Sequence, residues 1–186
     1  CGQAVALPLH RGATDDPGQG ADCGIPDRCA LRIHSRAGDR LGPVGDRLLR
    51  RHAALGLGDA VVFLGEVSRN RLAEEYVNAD CFCLPSVQEG FGIVLLEAMA
   101  AGLPIVACRA AAVPEVVPDG VTGRLVEPRS PERLADALEE ILTDSRRRKD
   151  YGDAGRRRAA EFSAPRVAQR FLEAVREACS DPKRAW

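Results

Sequence analysis

Three four-residue apolar runs, 61–64, 81–84 and 105–108, carry no polar side chain and are separated by stretches long enough to hold a helix. Short apolar runs bounded by turn residues read as strands, and the segments between them read as helices at 71–77 and 93–101, the second ended by Gly102. Strand and helix in alternation predict an α/β fold with a parallel sheet, right-handed crossovers and a ligand-binding edge at the C-terminal ends of the strands. Residues 123–126 add a further strand, and Leu31-Arg32-Ile33 reads as a short one. Asp46 is placed to cap a helix with Leu48, Leu49, Ala53 and Leu55 as its apolar stripe, His52 as a structural residue and Gly56 at its end. Ser130 and Pro131 open another helix, with Leu134, Leu138 and Ile141 on one face. A last helix is expected from about Ser163, with Val167, Phe171 and Ala174 turned inward.

The densest chemistry lies in Glu89-Gly90-Phe91-Gly92-Ile93-Val94-Leu95-Leu96-Glu97, between the strand 81–84 and the helix it feeds. The first turn of a helix has backbone N–H groups without intrahelical partners and about half a positive charge, so an anion is stabilised there. Gly90 and Gly92 lack a Cβ and let a ligand approach the backbone. With the helix starting near Gly92, Glu97 lies roughly 7 to 8 Å further along its axis. The two carboxylates would then stand at different depths of one cleft, as hydrogen-bond acceptors for hydroxyl donors. Glu89 near a helix N-terminus is also favourable by about 0.3 to 1 kcal/mol with no ligand at all, so the glutamates in isolation leave both readings open.

Around this stretch Leu84-Pro85-Ser86, Glu97-Ala98-Met99-Ala100, Gly102-Leu103-Pro104-Ile105-Val106, Val113-Pro114-Glu115-Val116-Val117 and Asp119-Gly120-Val121-Thr122-Gly123-Arg124-Leu125-Val126 occur in order, preceded by Phe63-Leu64-Gly65 and Ala79-Asp80. In these motifs the chain resembles the GT-B retaining glycosyltransferases of the family 4 (group 1) type, over residues 46–178. The resemblance implies the C-terminal, donor-binding half of a GT-B fold, a Rossmann-like parallel sheet flanked by helices spanning residues 46–186; residues 1–45, rich in Gly, Asp, Arg and Pro without a long apolar period, read as an irregular, divergent or partly disordered segment. It implies a hexosyltransferase that moves a sugar from a nucleoside diphosphate sugar to an acceptor with retention, using no cofactor and no metal. By position, Glu89 would contact hydroxyls of the transferred sugar as the catalytic-site acid, and Glu97 the ribose. Gly90, Phe91, Gly92 and Ile93 would meet the sugar or diphosphate, and Val67 and Leu72 would flank the base, although both also suit ordinary packing. The partners implied are a nucleotide-sugar, an acceptor that is a sugar, lipid or small molecule, and an N-terminal GT-B domain.

Two departures qualify the expectation. The family's donor domain opens with a loop carrying Gly-Arg and then Lys-Gly, whose cations neutralise the diphosphate. Here the only lysines among 26 basic residues are Lys149 and Lys183, and neither lies in that region. Preorganised cations supply much of the stabilisation of a diphosphate leaving group, so Arg32, Arg36 or Arg40 would have to serve, or turnover would be weak. The second departure is length. A chain of 186 residues accommodates one domain or little more, it begins at Cys1, and its only methionine is Met99. The expectation is therefore an incomplete enzyme whose beginning is truncated, divergent or out of frame; the alternative is a non-catalytic or degenerate nucleotide-sugar-binding fragment. An epimerase or a phosphorylase-like enzyme is more remote, because no histidine falls in the matched motifs and neither lysine suits a pyridoxal phosphate site.

Composition narrows the remaining classes. With 45% hydrophobic and 28% charged residues the chain can bury a core, and a net charge of −1 gives no footprint for nucleic acid. No apolar run approaches the roughly 20 residues of a membrane span, which predicts a soluble protein; the cysteine usage adds the expectation of a cytoplasmic one, with a peripheral position at the inner membrane face also open. Arg146-Arg147-Arg148 and Arg156-Arg157-Arg158 read as solvated helix faces. The seven cysteines read mostly as small core residues in a reducing compartment, with Cys23 and Cys29 as the residual metal candidates. An Asp-x-Asp pair that could hold a divalent cation on a diphosphate is absent from the sequence.

Overall fold

The computed structural model describes residues 4–7, 31–34 and 42–180, with side chains described over 46–180. Six strands form one open sheet: β1 (Ala4–Leu7), β2 (Leu31–His34), β3 (Val61–Gly65), β4 (Cys81–Leu84), β5 (Ile105–Cys108) and β6 (Gly123–Val126), in the spatial order β3-β2-β1-β4-β5-β6. Strands β4, β5 and β6 are parallel neighbours, as are β2 and β3. The expected parallel sheet is therefore present with one exception, since β1 runs antiparallel to both β2 and β4. A strand of either direction satisfies the backbone N–H and C=O groups along the edges of β2 and β4, and β1 does so between the two parallel halves. Apart from these two strands and the start of the first helix, the segment 1–45 lies outside the described residues, as do Cys1, Cys23, Cys29 and the side chains of Arg32, Arg36 and Arg40.

The central strands are continuous apolar runs because both faces of the sheet are covered. Alternate residues go to opposite sides. Phe82, Leu84, Ile105, Ala107 and Leu125 pack on one face against α2 (Arg69–Asn78), α3 (Ile93–Ala101) and the short α4 (Val113–Val116). Cys81, Cys83, Val106, Cys108 and Val126 pack on the other against Ala137 and Ile141 of α5 (Pro131–Thr143). Cys81, Cys83 and Cys108 are thus core residues, and Cys179 is exposed. Burial, with the neighbouring Cys108, pushes the Cys83 thiol up to about 12, and burial raises Cys81 and Cys108 as well. These sulfurs are protonated, unreactive packing groups at neutral pH.

Several helix boundaries differ from expectation. Helix α1 is Gly42–Ala54, so Asp46 lies inside it; Pro43 occupies the first turn, where a missing N–H breaks no intrahelical bond. His52 is structural, with its Nε2 2.9 Å from the Gly58 carbonyl oxygen and its ring edge-on to Phe63 at 5.6 Å. Helix α2 begins at Arg69, because the Ser68 hydroxyl accepts from the Arg71 N–H. Ser130 stands at the N-cap of α5, yet its hydroxyl makes no capping bond there; Pro131 sets the first helical φ instead.

Residues after α5 form two helices. In α6 (Ser145–Glu161), Asp144 caps the start by accepting from the Arg147 N–H. This helix crosses α3 closely because Gly152 meets the Gly102 carbonyl at the end of α3, where a Cβ would lie 2.2 Å from the oxygen, and Gly155 sits against Met99. Helix α7 (Ala164–Ser180) buries none of its residues. Val167, Phe171 and Ala174 were expected inward, but all three are exposed, Phe171 by 67%. The apolar spacing along α7 is genuine, but no described element covers that face.

Candidate functional site

The site grows from the β4–α3 connection. Strand β4 is fully buried, and Pro85 and Ser86 carry the chain out at its C-terminal end, where the Ser86 hydroxyl donates to the Gln88 carbonyl. The chain turns into α3 through Gly92, whose φ of 74° lies in the left-handed region that favours glycine. A Cβ there would also come within 2.7 Å of Leu95 Cδ1. Gly90 differs, because a Cβ on it would meet nothing within 4 Å. As the N-cap of α3, Gly92 offers no side-chain oxygen, and no acidic residue occupies the first turn. The helix therefore presents the Ile93 and Val94 amides at its positive end without a side-chain cap, as an anion would require.

Glu89 is half-buried in the turn, with its Cγ packed where the missing Gly92 side chain would be. It makes no ion pair or side-chain hydrogen bond with a described residue. Glu97 stands just over one turn into α3 and is exposed; its Oε2 accepts a hydrogen bond from the hydroxyl of buried Tyr76 at 3.3 Å. A carboxylate has about four acceptor sites, so this bond fixes the side chain's direction and leaves the other oxygen to hydroxyl donors.

Glu97 and Ile93 also line an open groove of about 440 Å³ with Leu96 and Ala100 of α3, Arg156, Ala159 and Ala160 of α6, and Phe162. The expectation that α3 is a buried helix holds for Leu95, Ala98 and Met99, while Ile93 is 56% exposed on this groove. Ile93, Leu96, Glu97 and Ala100 are spaced i, i+3, i+4, i+7, so the sequence carried the signal for this second face. Glu89 is not among the groove-lining residues; it sits in the preceding turn. Phe91 is 49% exposed and its ring meets Phe162 edge-on, with centroids 5.6 Å apart. Leu72 packs against the core face that contains Tyr76, Leu95 and Met99, and Val67 is half-buried ahead of α2; neither lines the groove. Tyr76 and Phe162 are absent from the sequence reading, and Arg156, read there as part of a solvated helix face, lines the groove.

Among the described residues Arg156 is the only cation lining the groove, but it reaches the Ala101 carbonyl at the C-terminal end of α3 and pairs with Asp153 on its own helix. A nine-residue helix is about 13 Å long, so this guanidinium is remote from the α3 N-terminus. Among the described residues, no helix is long and apolar enough to cross a membrane.

A doubly covered α/β sheet with a glycine turn into an uncapped helix and a carboxylate on that helix defines an α/β domain whose candidate site lies at the strand ends. Residues 37–158 match the family model described as "Glycosyl transferases group 1", and the chain belongs to that family. It is 43% identical over 128 residues to the MMP alpha-(1->4)-mannosyltransferase of Mycolicibacterium hassiacum, a match covering 68% of this chain and 31% of that enzyme. Among solved structures it is similar to sucrose-phosphate synthase from Thermosynechococcus elongatus, with a TM-score of 0.67 and 31% identity over 80% of this chain and 38% of the other. It is also similar to HepE of Anabaena, solved in complex with UDP-glucose, with a TM-score of 0.63 and 27% identity over 71% of this chain and 36% of the other. The fold is of the GT-B glycosyltransferase type.

Proposed function

We propose that this chain is the donor-binding domain of a retaining glycosyltransferase and holds a nucleoside diphosphate sugar at the start of α3. The observation that carries the reading is the pairing of an uncapped, glycine-entered helix N-terminus with a carboxylate just over one turn further on, oriented by Tyr76. In this reading the Ile93 and Val94 amides face the diphosphate, and Gly90 and Gly92 let it approach the backbone. Glu97 accepts from the ribose hydroxyls, Glu89 from those of the transferred sugar, and Phe91 lies beside the sugar or diphosphate. Val67 and Leu72 flank the base. Similarity to a protein solved with UDP-glucose supports a nucleotide-sugar as ligand. The chain's contribution is positioning and charge stabilisation at the leaving diphosphate, with no protein nucleophile, cofactor or metal in the scheme. The acceptor would meet the donor across a cleft completed by an N-terminal domain, since the matched stretch spans only 31% of the mannosyltransferase. Three buried free thiols suit a reducing compartment, which supports a cytoplasmic location.

One observation favours a second reading, in which the domain binds a nucleotide-sugar without turning it over. The groove's cation stands at the wrong end of α3 to neutralise a diphosphate at its start, and the guanidiniums nearer that turn, Arg158 and Arg170, are bonded to backbone carbonyls beside Phe162. Calorimetric titration with UDP, GDP and ADP and their glucose and mannose conjugates tests both readings. Binding of at least one of them is expected, weakened about 10- to 100-fold by Glu97→Ala, as for loss of a hydrogen bond to a charged group. No binding by any of them, or an unchanged affinity in that variant, would remove the assignment.

A further inference from the structure

Phe91 is the one residue of the turn 90–92 with a side chain, and that side chain is not in the core. Its aromatic contact is with Phe162, the residue that ends α6 and precedes α7. Phe162 is itself gripped from both sides of the joint. The Arg158 guanidinium lies 4.7 Å from the ring centroid, and that of Arg170, on α7, lies 5.7 Å away. Both cations are anchored. Arg158 donates to the carbonyls of Glu115 and Val116 on α4 and pairs with Glu161. Arg170 donates to the Glu161 carbonyl at 2.9 Å. Since α7 buries no residue, Arg170 gives it a defined hold on the body of the domain, and that hold leads through Phe162 to Phe91.

We infer that Phe162 is a positioning residue: held by Arg158 and Arg170, its ring holds Phe91 and thereby the turn 89–92 at the start of α3, and links that turn to the placement of α7. The functional meaning of the turn rests on the donor-site reading given above, whereas the mechanical link does not. With Gly90 unhindered and Gly92 in a conformation that few other residues adopt, the turn has little side-chain packing of its own, so the ring contact fixes its backbone.

Backbone ¹⁵N relaxation on the full chain, without ligand, tests the link. In the native protein the amides of residues 90–92 should be nearly as rigid as the strands, with order parameters of about 0.8, and in Phe162→Leu they should fall toward about 0.6 while β4 and β5 are unchanged. Arg170→Ala, an exposed substitution with little consequence for folding, should lower them in the same direction by less, and Phe171→Ser, at an exposed α7 residue that takes no part in the Phe91–Phe162 ring contact, should leave them alone. Unchanged order parameters at 90–92 in both Phe162→Leu and Arg170→Ala would overturn the inference, as would a loss of order shared equally by β4 and β5. Glu97→Ala should leave the rigidity of the turn intact, so a failure of nucleotide binding in the titration sinks the donor reading without touching this one.

Discussion

Gly90 and Gly92 lie two positions apart in one turn and serve different physical needs. Gly92 has a φ of 74° and no room for a Cβ beside Leu95, whereas Gly90 faces open space. Gly92→Ala should cost about 1–2 kcal/mol in urea unfolding, from the left-handed penalty on an L side chain, while Gly90→Ala should stay within about 0.5 kcal/mol of the native protein. Equal costs at the two positions would contradict this account of the turn. Both glycines and both glutamates were legible in the sequence, because the strand-to-helix change and the spacing of the carboxylates are local features. Tyr76 and Phe162 were not. The bond from Tyr76 to Glu97 joins residues 21 apart in sequence, and Phe91 meets Phe162 from a different element, so no local periodicity reports either contact.

At the scale of elements, the sequence marks faces but not what covers them. The apolar face of α7 was readable and its burial was inferred from it, yet the structure leaves that face open. Helix α6 shows the opposite case: its composition, rich in arginine and containing two glycines, gave no apolar stripe, yet it packs tightly on α3. Gly152 is the reason. An alanine there would place a methyl 2.2 Å from the Gly102 oxygen, against backbone that cannot swing aside, and would push α6 off the end of α3. Gly152→Ala should therefore lower stability by about 1–2 kcal/mol despite alanine's better helix propensity, read as a lower urea midpoint at unchanged m-value. A stabilised variant would show that the close crossing is not what demands the glycine.

For the whole molecule, alternation of strand and helix was enough to foretell a parallel sheet flanked by helices, since β3 to β6 and the helices α2 and α3 announce themselves by period and turn residues, whereas the four-residue α4 between β5 and β6 does not. The reversed direction of β1 was not foretold, because a four-residue strand carries no record of which neighbour it will join. The same sheet sets the site. Its parallel strands bring the β4–α3 turn to one edge, and α6 crosses behind α3 to make the groove that Glu97 shares. The central claim is that this edge grips a nucleoside diphosphate sugar, and a crystal structure of the chain soaked with whichever conjugate binds in the titration tests it most directly. The account predicts the diphosphate against the amides of residues 92–94 and the ribose hydroxyls on Glu97, with Tyr76 still donating to that carboxylate. Nucleotide density elsewhere, or a Glu97 with no contact to the ligand, would contradict it.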